Sequence, residues 1–172
     1  APLYSQLDPQ VDFDWGSGGP ADGIVPTDFS ARWSGQIEAL SSEEYSFYIA
    51  ADDLVRVWID GQLYIDDWDN PQGYERYGPT ISLVRGQKYD IQIDFRDTGG
   101  GASISFNWHT LSDSINWETV PMQQLYPPAS GLPATATLTP TQTPTATPTD
   151  TDTPTATPTE TATATPTATR TP

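Results

Sequence analysis

The sequence predicts an all-β fold, an antiparallel β-sandwich or barrel over residues 1–130, with an extended Thr/Pro-rich tail over residues 131–172. Three observations carry this. Apolar and polar residues alternate with a period of two through most of the first 130 residues, as in strands with one buried and one wet face. Asp60-Gly61 sits between two alternating runs, the strongest short-range signal for a tight hairpin. From Thr135 to Thr171 a threonine stands at every second position, with proline or alanine in most of the gaps. Such a segment offers too few large apolar side chains to offset the entropy of ordering it.

Taken in order, residues 29–37 (FSARWSGQI), 45–49 (YSFYI), 55–59 (VRVWI), 89–95 (YDIQIDF) and 102–108 (ASISFNW) read as half-buried strands. The hairpin covers residues 55–65 and turns at Asp60-Gly61. Residues 71–79, bounded by Pro71 and Pro79, read as a loop. No 3.6-residue period runs for more than a turn or two. Antiparallel strands with one wet face must close on a second sheet, hence a sandwich or barrel.

All six tryptophans, eight tyrosines and five phenylalanines fall within residues 1–130, so that segment can bury a core as one domain. The chain has no cysteine, which excludes disulfides, thiol catalysis and cysteine metal sites, yet does not argue against export for a domain of this size. There is no run of 18 apolar residues and no signal peptide in view, so the reading is a chain without membrane insertion that begins at a mature end, Ala1-Pro2. The formal charge is −16. The tail supplies only Asp150, Asp152 and Glu160 against Arg170, so the folded part is strongly acidic. Nucleic acid and anionic membrane surfaces are excluded as partners, and divalent cations fit.

The tail composition is that of an O-glycosylated stalk. Prolines at 140, 144, 148, 154, 158, 166 and 172 bias it to polyproline II, and at ~3.1 Å per residue such a tail reaches about 120 Å. The expected glycosylation sites are Thr141, Thr143, Thr145, Thr147, Thr149, Thr151, Thr153, Thr155, Thr157, Thr159, Thr161, Thr163, Thr165, Thr167 and Thr169. Residues 134–139 alternate without proline and are expected to dock as an edge strand. A stalk of this kind places the protein outside the cell, secreted or at the cell surface.

The runs FSARWSG (29–35), YSFY (45–48), Asp52-Asp53 leading into VRVWIDGQ (55–62), IDDW (65–68), GQKY (86–89), ISFNW (104–108) and the closing Val120-Pro121 with Leu125-Tyr126 together resemble the domain family first defined in the anthrax protective antigen, over roughly residues 9–126. The resemblance implies a lectin-like β-sandwich, often a carbohydrate binder. In sugar-binding members a cis-linked aspartate pair holds a calcium ion that in turn holds sugar hydroxyls. By position the pair is Asp52 and Asp53, and the side-chain ligand of the second calcium loop falls on Asp97, with main-chain carbonyls from residues 98–101 completing the shell. Two positions depart from the pattern: Leu54 replaces a common glycine, and Asp97 replaces an asparagine. The resemblance also makes Trp68 a core plug beside the hairpin. Family members usually carry a further strand upstream of residues 11–16 (VDFDWG), which leads to the expectation that a neighbouring subunit donates that strand and drives self-association into a polymer, or that residues 1–7 fold back over the edge.

Calcium takes six to eight oxygen ligands at about 2.3–2.6 Å. Asp52, Asp53 and Asp97 stand at strand-to-loop junctions, and Gly99, Gly100 and Gly101 would let carbonyls turn inward. The plainer reading makes Asp52-Asp53 a solvated turn and Arg96-Asp97 a surface pair. The cluster Asp66, Asp67, Asp69 with Asn70 reads as a charged exposed turn before Pro71. Tyr74 and Tyr77 join the three aspartates as candidate sugar-binding residues, by stacking on a ring. His109 is the only histidine and no catalytic triad is built around it, while chance carboxylate pairs are too common here to indicate a glycosidase. The chain therefore reads as not an enzyme. Three classes stand open: a calcium-dependent glycan-binding or adhesion module on a stalk, a structural subunit of a glycosylated extracellular filament or surface layer, and an accessory domain with linker from a larger exoenzyme.

Overall fold

A computed structural model describes residues 2–69 and 73–129. The expected glycosylation threonines and the docking stretch at residues 134–139 lie outside the described residues. The described part is a β-sandwich of two antiparallel sheets. Its strands are β1 (Asp12–Gly16), β2 (Ser30–Glu38), β3 (Glu43–Asp52), β4 (Leu54–Ile59), β5 (Gln62–Asp67), β6 (Glu75–Tyr77), β7 (Ile81–Leu83), β8 (Lys88–Arg96), β9 (Ala102–Thr110), β10 (Glu118–Thr119) and β11 (Leu125–Tyr126). One sheet runs β1-β9-β3-β6, with β10 also on β9 and β7 also on β3; the other runs β11-β2-β8-β4-β5.

The period-two pattern decides which residues meet between the sheets. Tyr45, Phe47, Ile49 and Ala51 of β3 face Val55, Val57 and Ile59 of β4 and Ile91, Ile93 and Phe95 of β8, all nearly or fully buried. Aromatics fill both ends. Phe13 and Trp15 of β1 stack on Trp33 and on each other, while Trp15 meets Phe29 edge-on at 5.4 Å. At the other end Phe47, Phe106, Tyr45 and Trp108 form one contiguous group. The hairpin turns where the sequence places it: Asp60 (φ 48°) and Gly61 (φ 73°) both take positive φ, as a type I′ turn requires.

Three expectations are corrected. Residues 71–79 are not wholly a loop, because β6 pairs with β3 through Tyr48↔Tyr77 and Ala50↔Glu75. Asp66 and Asp67 are not an exposed turn but the end of β5. Asp66 pairs with Arg56 at 2.7 Å, and Asp67, 3% exposed, pairs with the buried Arg76. Trp68 is not a core plug: it is half-buried, and Arg56 stacks over its ring at 5.2 Å, a cation–π contact near the surface.

At the N-terminal end, β1 is an outer strand on β9 and residues 2–9 form no ladder with it. Asp8 instead accepts a hydrogen bond from the Trp33 indole at 2.9 Å.

Candidate functional site

The chain crosses from one sheet to the other twice at the same corner. The first crossing is Asp53, between the end of β3 and the start of β4; the second is residues 97–101, between β8 and β9. Register forces them together, since Asp52 lies opposite Ser103 on β9 while Leu54 lies opposite Arg96 on β8. The structure thus brings Asp52, Asp53 and Asp97 to one place from segments far apart in sequence. Asp52 and Asp53 are joined by a cis peptide bond.

Each carboxylate is held differently. Asp53 Oδ2 accepts from the Thr98 backbone N–H at 2.7 Å and the Thr98 hydroxyl at 2.6 Å. Asp97 is wholly buried. Its Oδ2 accepts from the Asp28 backbone N–H at 2.8 Å, its own N–H donates to the Phe29 carbonyl at 2.9 Å, and Oδ1 accepts from Gly99 N–H at 3.3 Å. Asp97 is therefore not one half of a surface pair, and it forms no salt bridge among the described residues. Gly99 (φ 127°) and Gly100 (φ 95°) occupy backbone regions that a side chain would strain. Leu54 is compatible with the corner, because it opens β4 without a positive φ.

Beneath the corner lies Arg76. Its guanidinium donates to the carbonyl oxygens of Ala51, Tyr74 (2.9 Å) and Asp53 (2.8 Å), and to the Asp67 carboxylate. It thereby fixes the main chain on both sides of Asp52. The electrostatics follow from this crowding. Burial, the hydrogen bond with Asp53 and the negative charges of Asp53 and Asp97 push the Asp52 carboxyl above the usual range, against the opposing pull of Arg76. Burial is the largest single influence on Asp53 and acts in the same sense, but the two Thr98 hydrogen bonds, the hydrogen bond with Asp52 and the charge of Arg76 together leave that carboxyl below its ordinary value. A corner that resists its own full ionisation favours an added positive charge.

The donor set is all oxygen, as a hard cation requires. Among the described residues no three acidic or histidine side chains close on one point as a metal cage, so a calcium ion here would rest on the aspartates together with main-chain carbonyls of the glycine loop. Tyr74 stands beside the corner, 54% exposed, with its hydroxyl 3.4 Å from that of Ser103. Tyr77 does not. It stacks on Tyr48 at 5.3 Å, farther along the outer face. His109 stacks against Trp117 at 3.5 Å on that face as well. Sequence reasoning missed Arg76 and Asp28, and named Thr98 only for its main-chain carbonyl, not for the amide and hydroxyl that hold Asp53. Arg76 and Thr98 stand in segments read as loops, and no local pattern marks the bonds of Arg76 to the Asp53 carbonyl, 23 residues away, of Thr98 to Asp53, 45 away, or of Asp28 to Asp97, 69 away.

Residues 2–118 match the family model described as the PA14 domain. The chain belongs to the PA14 domain family. It is 40% identical over 130 residues to the anti-sigma-I factor RsgI3 of Acetivibrio thermocellus, which covers 76% of this chain and 20% of that protein. Among solved structures, an anti-sigma factor domain-containing protein from Clostridium clariflavum superposes with a TM-score of 0.65 at 41% identity, over 71% of this chain and 40% of that one. A PA14 sugar-binding domain from an RTX adhesin superposes with a TM-score of 0.56 at 19% identity, over 73% and 79%, a likeness of fold alone. The chain thus spans a fifth of the curated relative and two fifths of the first solved one. No helix among the described residues is long and apolar enough to cross a membrane.

Proposed function

We propose that this PA14 domain is a non-catalytic, extracellular carbohydrate-binding module whose Asp52–Asp53–Asp97 corner takes calcium. One observation carries the reading. Asp97 is buried without a salt bridge among the described residues, and the Asp52 carboxyl is raised above its ordinary value by burial first and then by its bond to Asp53 and the charges of Asp53 and Asp97. Such an arrangement is costly unless a cation joins it. Asp52, Asp53 and Asp97 would hold the ion, with carbonyls of residues 98–101. When bound, calcium supplies coordination positions that vicinal sugar hydroxyls fill as oxygen ligands. The protein's own part is positional: Thr98 fixes the Asp53 carboxylate, Arg76 fixes the carbonyls bracketing the aspartate pair, and the Tyr74 ring offers an apolar face beside them. The solved RTX adhesin relative is a sugar-binding domain by description, which supports the assignment of class. The threonine-rich tail fits display on a glycosylated stalk outside the cell.

The test pairs thermal melting with glycan-array binding, each in calcium and in EDTA. Saturating calcium is expected to raise the melting temperature, since a ligand at 100 times its Kd adds about 2.7 kcal/mol. Asp53→Ala should abolish both the rise and glycan capture. A wild-type melt indifferent to calcium, with glycan capture unchanged by EDTA, refutes the calcium assignment.

A second reading has one observation in its favour. The curated relative and the first solved one are much longer than the matched region, as expected if the domain is one recognition module of a larger extracellular protein and the Thr/Pro segment is its linker. Mapping the native polypeptide by mass spectrometry separates the two.

A further inference from the structure

The outer face of the β1-β9-β3-β6 sheet carries an aromatic cluster away from the aspartate corner. Tyr48 of β3 and Tyr77 of β6 are register partners and stack at 5.3 Å. Trp117, from the connection between β9 and β10, meets Tyr48 edge-on at 5.0 Å and Tyr77 at 5.7 Å, and lies flat on His109. These rings are not buried as the inward ones are. Tyr77 is 56% exposed and Trp117 is 53% exposed, whereas Tyr45 and Trp108 are fully covered. Their orientations are nonetheless fixed by one another and by the Tyr77 hydroxyl, which donates to Glu75 Oε2 at 2.6 Å.

Each class of occupant can be weighed against this geometry. A quaternary cation needs an open box of rings, and centroids 5.0–5.7 Å apart are in direct contact, leaving no box. An anion meets Glu44, Glu75 and Asp52 on the same face, with no lysine or arginine among its described outward strand positions. A protein partner needs on the order of 1,200 Å² of total buried surface, and the neighbouring outward positions on these strands include the polar Ser46, Ser105 and Thr119. The C–H faces of pyranose rings need what is present, rigid exposed rings with a carboxylate alongside to accept hydroxyls.

We propose that the exposed rings of Tyr77 and Trp117, held at right angles to each other with the half-buried Tyr48 packed against both, form a second carbohydrate subsite, a stepped aromatic platform for sugar rings of a neutral polysaccharide, working without calcium. Tyr48 and Asp52 are four residues apart on one face of β3, about 13 Å at ~3.3 Å per residue. A longer chain that runs from the platform along β3 passes towards the corner. The platform selects internal stretches of a polymer rather than a terminal sugar. It shares the carbohydrate reading given above but none of its calcium chemistry, so the two fail separately.

The experiment is affinity gel electrophoresis of the full chain in EDTA against hydroxyethylcellulose, arabinoxylan and dextran, with polygalacturonate and free choline as contrasts. At least one neutral polymer should retard the wild type. Trp117→Ala and Tyr77→Ala should each weaken that retardation about tenfold, Trp117→Phe should restore most of it, and circular dichroism should show all three folded. Neutral polymers that retard only when calcium is present, or equally with both alanine variants, overturn the platform while leaving the calcium corner standing. Binding of choline or polygalacturonate in place of the neutral polymers overturns it, as does a wild-type dimer that Trp117→Ala dissolves.

Discussion

Replacing Arg76 with methionine isolates the contribution of the group beneath the aspartate corner. Arg76 is 7% exposed and Asp67 opposite it 3% exposed, so the change sets a buried charge against an apolar side chain. Breaking a buried pair in this way costs about 3–5 kcal/mol. The carbonyls of Ala51, Tyr74 and Asp53 lose donors in the same step, a cost that overlaps with the first. For a domain of this size each kcal/mol moves the midpoint by about 4 °C, so a fall of about 12–20 °C is expected. The assay is urea and thermal unfolding of wild type, Arg76→Met, Asp67→Asn and the double variant. Because the two side chains act as one unit, the double variant should lose at least 1 kcal/mol less than the sum of the single losses. A loss below about 1 kcal/mol for Arg76→Met, or strict additivity in the cycle, refutes the reasoning.

Glu43 gives a pH prediction. Hydroxyls of Ser112, Ser114 and Ser41 donate to its carboxylate and hold its pKa down to about 2. A depressed carboxylate stabilises the fold above its unfolded pKa and loses that contribution as pH falls through the folded value. Wild type should therefore weaken between pH ~4.5 and ~2 more steeply than Glu43→Gln when urea midpoints are followed with pH. Gly35→Ala tests the seat of β11: an added Cβ would lie 2.7 Å from the Tyr126 carbonyl oxygen, so β11 must shift off β2. A cost of about 1–3 kcal/mol is expected by chemical denaturation, and a neutral variant argues against the close approach. For the tail, intact-mass spectrometry of native material should read above the 18.7 kDa of the bare chain, and a mass equal to it rules out the proposed glycans.

The strands of the core were legible because each is long enough to show the period of two and each buries one face. The hairpin was legible because only a few dipeptides suit two positive φ angles, and Asp60-Gly61 is one of them. β6 was not: it is three residues between prolines, too short to show a period. Asp67 was misread because an acidic cluster in sequence is usually solvated, and nothing local discloses a guanidinium nine residues on that turns back beneath the sheet. The aspartates of the corner were named through family resemblance, whereas the residues that hold them in place depend on the register of strands distant in sequence. The platform shows the same limit. Tyr48, Tyr77 and Trp117 are scattered along the chain and become neighbours only when β3, β6 and the connection after β9 are laid side by side.

The Asp53–Thr98 contact joins the two crossings of the chain between sheets. Neither sheet can swing away from the other at this end without parting that bond, so the corner opens only as a cooperative unit with both layers. The Thr98 amide, although in an exposed loop, should exchange its proton with solvent more slowly than a loop amide without a partner. A ligand seated there would tighten the sandwich as a whole, and its arrival would register in backbone amides of β3, β4, β8 and β9 alike.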